Sequence, residues 1–110
     1  MSRDPLRYLD DLRVACGSIR DYTDGLDYES FIESEMTKHA VLFNLLVLGE
    51  AARSLPDELR NKYPEVPWRN IGSVRNRIAH GYFTVDFRVI WDIVENDIPF
   101  LLETLGESGA

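Results

Sequence analysis

A chain of 110 residues, 45% hydrophobic and 28% charged, is long enough for one modest core and too short for two. That composition excludes a disordered chain, and no apolar run approaches the roughly 18 residues a membrane-spanning helix needs. A net charge of −7 argues against a general nucleic-acid binder, because phosphate affinity rests on cationic side chains.

The N-terminus, MSRDPLRYLDD, carries no hydrophobic signal core, so a cytoplasmic protein is expected. Asp4 ahead of Pro5 is a helix start, a capping acceptor before a proline whose missing N–H costs nothing there. Leu6, Leu9, Leu12, Cys16 and Ile19 then recur at three- and four-residue steps, which predicts a helix ending near residues 22–25. The lone Cys16 fits a buried, inert thiol. Asp21, Asp24, Asp27 and Glu29 follow without the glycine and terminal glutamate of a calcium loop, and read as solvated acids.

Ser30 with Glu33 forms an S-x-x-E capping box, and Phe31, Ile32, Met36, Ala40, Phe43, Val47, Leu48 and Ala51 predict one helix running to about Leu55. Its middle, AVLFNLLVLG, is apolar nearly all round, which places it centrally or turns its second face to a partner chain. His39 has no second histidine or cysteine at ligand spacing and reads as solvated or half-buried. Pro56 breaks the helix, and PDELRNKYP predicts a short helical turn.

Pro67 opens the next helix, with Trp68, Ile71, Val74, Ile78 and Ala79 as its buried stripe and Gly81 as its stop, which puts His80 in the last turn. Thr84 or Asp86 can cap a final helix whose face is Phe87, Ile90, Trp91, Val94, Ile98, Leu101 and Leu105, with a kink near Asp97 from Pro99. Trp68 and Trp91 sit among aliphatic neighbours and read as anchors before base-stacking platforms. No segment alternates with period two over strand length. The expected fold is all-α, one domain over residues 1–110, with four main helices and a short helical turn.

Charge is unevenly spread. Residues 60–88 hold six basic side chains, Arg60, Lys62, Arg69, Arg75, Arg77 and Arg88, against Glu65 and Asp86, while the remainder holds six against seventeen acids. An anionic ligand is therefore permitted near residues 75–82, RNRIAHGY, and discouraged elsewhere. An arginine offers a fixed fork of donors to a phosphate or a phosphorane-like transition state, a histidine can move a proton near neutral pH, and Asn76, one turn before His80, can orient it. Those parts suit metal-free RNA cleavage, in which a 2′-hydroxyl attacks the adjacent phosphate. Arg75 and His80, five residues apart, lie roughly 140° apart around an ideal helix and do not share a face.

RNRIAHGY resembles the R-N-x-x-x-H-x-Y signature of HEPN-domain proteins, and in particular the HepT toxin family, partner of the MntA minimal nucleotidyltransferase. The resemblance continues through PWRNIGSVRNRIAHGYFTVDFRVIWDIVENDIPFL and, more loosely, through LGEAARSLP. It implies a HEPN-type bundle acting as an endoribonuclease toxin without metal or cofactor. Arg75 and His80 would be the catalytic pair, Asn76 their polar companion, and Tyr82 the tyrosine adenylylated by the partner nucleotidyltransferase. Arg77 and Arg69, in the same basic stretch, are expected to contact the RNA. The family also implies a homodimer whose two motifs face one cleft, which would let an arginine and a histidine that diverge within one chain meet across two. A second reading keeps the dimer and Tyr82 as an acceptor for the nucleotidyltransferase but makes the chain a non-catalytic binding module.

Overall fold

The computed structural model describes residues 4–106, and its first helix begins where the sequence places it. Asp4 accepts the amide of Leu6 at 3.0 Å ahead of Pro5, and α1 runs Pro5–Thr23. Its buried stripe is Leu9, Leu12, Cys16 and Ile19, as the spacing predicts, joined by Ala15; Leu6, expected to begin it, is exposed because it lies in the first turn, beyond the core. Burial pushes the Cys16 thiol up to about 12, so it remains protonated and unreactive.

The second predicted helix is two. Asp27, not Ser30, caps the short α2, Tyr28–Glu33, by accepting the amide of Ser30 at 2.8 Å. Those hydrogen bonds to Ser30 hold the Asp27 carboxyl below its ordinary range. Ser34 breaks the helical path and caps α3, Glu35–Ser54, through the amide of Thr37 at 3.1 Å. Both side chains are short acceptors, and the chain uses them at consecutive starts. The S-x-x-E pattern is present in sequence but is not the cap.

The face assigned to α3 also needs correcting. Its buried residues are Val41, Leu42, Leu45, Leu48, Gly49, Ala51 and Ala52, whereas Met36 is 82% and Phe43 63% exposed, with Ala40 and Val47 half-buried between them. Met36, Ala40, Phe43 and Val47 step by four, three and four, the spacing of a coiled-coil seam; Met36 and Phe43 are exposed, and Val47, at its end, packs partly against the core.

After Leu55, α4 is a single turn, Asp57–Arg60, as PDELRNKYP suggests. Then α5 runs Trp68–His80, with Ile71 and Ile78 buried and Trp68 and Val74 half-buried; Ala79, expected in that stripe, is exposed. Gly81 ends it, its N–H donating to the carbonyl of Arg77, and a 3₁₀ turn covers Tyr82–Thr84. Asp86 caps α6, Phe87–Asp92, by accepting the amide of Arg88 at 2.9 Å. A π turn at Ile93–Asp97 joins α6 to α7, Ile98–Leu105, so the last predicted helix is continuous but widened. The Ile98 amide reaches back to Ile93, five residues, immediately before Pro99, which has no N–H to give. The ladder thus loosens in the turn before the proline, at the place where the sequence predicts a kink.

Among the described residues there is no strand, and no helix is long and apolar enough to cross a membrane. α3 lies between α1 and α5, and α1 also meets α7. Phe31 fixes the closed end: its ring stacks on Trp91 at 4.9 Å and meets Phe87 edge-on at 6.1 Å, while Tyr28 meets Trp91 at 6.5 Å. Trp91 is therefore a core anchor. At the other side Arg13 Nε donates to the Leu105 carbonyl at 2.8 Å, tying α1 to the last turn of α7.

One acid in this frame is held unfavourably. Partial burial, and then the charge of Asp92, raise the Asp97 carboxyl above its usual range. An acid whose folded pKa is raised binds its proton more tightly in the native state, so stability falls as pH rises through the window between its unfolded and folded values. Asp97→Asn should therefore stabilise the fold at pH 7, by no more than about 0.5 kcal/mol, and raise the melting temperature with it. The gain should vanish at pH 3, where Asp97 is protonated in both states. Thermal melts of both proteins at the two pH values check this; a gain independent of pH would show that the charge is not its cause.

Candidate active site

The motif rides on α5, and α5 can approach α3 closely because glycine stands at the crossing. A Cβ on Gly49 would lie 2.6 Å from the Cβ of Arg75 and 3.0 Å from its backbone nitrogen, so only hydrogen fits there. Gly72 makes the reciprocal opening, where an added Cβ would fall 2.8 Å from Cγ of Arg53. The stems of Arg75 and Arg53 thus each lie against a glycine of the facing helix.

That contact builds a short polar chain. Arg75 Nε stands 3.4 Å from Oε2 of Glu50, and Arg75 Nη1 donates to Oδ1 of Asn76 at 3.2 Å. The same Asn76 oxygen accepts from Arg53 Nη1 at 3.0 Å. Asn76 is thus turned to two guanidiniums, not to His80 as the helical spacing suggested. Two cations sharing one amide oxygen fix each other's position, and Glu50 offsets part of their charge.

His80 lies elsewhere. It is exposed in the last turn of α5 and borders a groove of about 410 Å³ with Arg77, Thr84 and Asp86 over an apolar floor that includes Val74, Ile78 and Val89. Arg75 opens instead onto a groove of about 500 Å³ with Tyr8, Glu50, Val47 and Ala79. Asn76 opens onto a third, of about 620 Å³, with Arg53, Arg60 and Arg69. The three motif residues lie within six positions of one helix, yet within a single chain they address three surfaces. The angular divergence expected from helix geometry is what the structure shows.

Tyr82 follows in the 3₁₀ turn, 42% exposed, with its ring centroid 6.3 Å from that of His39. His39 is itself exposed and 3.7 Å from Glu35, whose carboxyl is held below its ordinary range chiefly by a hydrogen bond from Lys38. Trp68 is structural: its indole N–H is shared between the carbonyls of Arg60 and Tyr63, 3.1 Å from each. Among the described residues no three His, Cys, Asp or Glu side chains gather as a metal centre would need.

The model of the Ribonuclease HepT-like family matches residues 12–107. The chain belongs to the HepT-like ribonuclease family. It is 37% identical over 101 residues to "Probable ribonuclease HepT" of Thermococcus cleftensis, covering 92% of each chain. Two proteins named "Putative RNase" are comparably similar: one from Methanocaldococcus jannaschii, 36% identical over 88% of this chain and 80% of its own, and one from Caldanaerobacter subterraneus subsp. tengcongensis, 31% identical over 96% and 94%. No solved structure matches.

For a HepT-like chain, two residues of the motif's surroundings went unread in the sequence, Glu50 and Arg53. Both lie in the GEAAR segment, and the signal was the glycine before them: Gly49 interrupts an apolar helix, and an isolated glycine there marks close backbone approach. What faces it, Arg75, is 26 residues away and invisible to periodicity.

Proposed function

We propose that this chain is a metal-independent endoribonuclease toxin, active as a homodimer and switched off by adenylylation of Tyr82 by an MntA-like nucleotidyltransferase. The observation that carries the reading is the divergence of the motif. Half-buried Arg75 and exposed His80 lie on different grooves of one chain, and Val47, in line with the exposed Met36 and Phe43 of the α3 seam, lines the Arg75 groove. A two-fold axis along that seam would bring the arginine of one chain toward the histidine of the other.

In the assembled cleft His80 takes the proton from the 2′-hydroxyl or returns one to the leaving 5′-oxygen, and Arg75 meets the charge that builds on the phosphorane oxygens. Asn76 holds the Arg75 fork in place from the side. The bond formed joins the 2′-oxygen to phosphorus, the bond broken releases the 5′-oxygen, and no redox step or metal is required. Tyr82, two residues beyond His80 and partly exposed, accepts the adenylyl group. Its added phosphate places negative charge where the RNA phosphate would sit.

The purified protein, incubated with RNA in EDTA, should give fragments ending in 2′,3′-cyclic phosphate. Treatment with the partner nucleotidyltransferase, ATP and Mg²⁺ should add AMP to Tyr82, seen by intact mass, and abolish cleavage. Cleavage that requires added metal would overturn the mechanism. AMP addition to a chain that never cleaved RNA would leave only the binding-module reading.

A further inference from the structure

The third groove is not needed for the bond-breaking step, yet it is the most basic of the three grooves around the motif. Arg53, Arg60 and Arg69 line it with a single acid, Asp57, and with the side chains of Asn76, Asn61 and Ser73. Neither Arg53 nor Arg69 has a carboxylate partner among the described residues. Arg60 gives Nη2 to Asp57 at 2.9 Å, but its buried Nε meets no acceptor. Protein contacts thus leave much of the donor capacity of three guanidiniums unused.

The groove is also built. Gly72 admits the Arg53 stem across α5, and the Trp68 indole, bonded to the Arg60 carbonyl, holds the α4 end against the start of α5. Continuity with the motif comes through Asn76, whose oxygen is shared by Arg53 in the groove and Arg75 at the proposed cut. Guanidinium forks match phosphate oxygens in geometry, and amides such as Asn61 and Asn76 suit the sugar and base edges beside them.

We infer that this groove binds the phosphate backbone of the RNA strand next to the scissile bond, with Arg53, Arg60 and Arg69 as its phosphate contacts. The inference rests on the ribonuclease reading for its ligand, but not for its test. An acidic protein partner is the competing occupant. The shared Asn76 favours RNA, because it makes the groove an extension of the catalytic arginine's surroundings.

Binding of wild-type protein to a fluorescent single strand of 2′-O-methyl RNA, which lacks the attacking hydroxyl, isolates the groove from cleavage. Arg60→Gln and Arg69→Gln should each weaken binding about tenfold and lower the slope of log affinity against log salt by about 0.7, one single-strand phosphate contact each. Asp57→Asn, which removes the groove's acid, should tighten binding instead, a change no loss of folding can mimic. Arg20→Gln, outside the groove, removes the same single charge and controls for net charge. The proposal is overturned if the two glutamine variants keep the wild-type slope, or if they lose binding to poly-glutamate while RNA binding is unchanged. Arginine-dependent RNA binding by a chain that cleaves nothing would uphold the groove and sink the nuclease reading.

Discussion

Replacing His80 with alanine should lower RNA cleavage by about 10²–10⁴-fold while leaving the melting temperature within experimental scatter. The side chain is exposed at a helix end, so on the proposed mechanism its removal should take away proton transfer and little else. Arg75→Ala should cost about 10²–10³-fold by withdrawing the donor fork from the developing charge. It should also free Glu50 and leave Asn76 to Arg53 alone. Arg75→Lys should recover little, because a point charge cannot reproduce two parallel donors. Single-turnover rates on one defined RNA, beside melting curves, check all three. If His80→Ala cleaves like wild type, the assignment of the base is wrong.

The second large effect belongs to the seam on α3. Phe43 is well exposed in the isolated chain and lies on the face away from the core, so Phe43→Asp should leave the fold intact. It should nevertheless convert the protein to monomers, visible by sedimentation, because a charge at the centre of an apolar seam must be desolvated on association. Cleavage should fall with the dimer. The sharper measurement mixes the two dead variants, Arg75→Ala and His80→Ala. If each site takes its arginine from one chain and its histidine from the other, a mixed dimer contains one intact site and regains activity. If both come from the same chain, no mixture recovers any.

Much of the fold was legible because local rules and tertiary packing agree. Asp4–Pro5 starts α1, Pro56 stops α3, and the stripe Ile90, Trp91, Val94, Ile98, Leu101 is buried as its spacing requires. The failures share a cause. Around α3 hydrophobicity is nearly isotropic, so periodicity could not choose between Met36–Phe43 and Val41–Leu45 as the inward face; burial follows what α1 and α5 present. Ser30–Glu33 failed as a cap because Asp27, three residues earlier, starts the helix by accepting the Ser30 amide and leaves Ser30 inside it. At the site, the divergence of Arg75 and His80 followed from helix geometry alone. The partnership of Asn76 with Arg53 did not, because it depends on which residue of a distant helix lies opposite.

The glycine at position 49 makes an absent atom a dimension of the enzyme. The separation of α3 and α5 is set there by a hydrogen against the Cβ of Arg75, so the arginine's reach is a property of another helix's backbone. Even a methyl group at 49 would act as a shim, lifting α5 and its passengers together and leaving every residue of the motif chemically intact but displaced from α3. A screen confined to the motif's own residues would never find that position, although it governs where all of them stand.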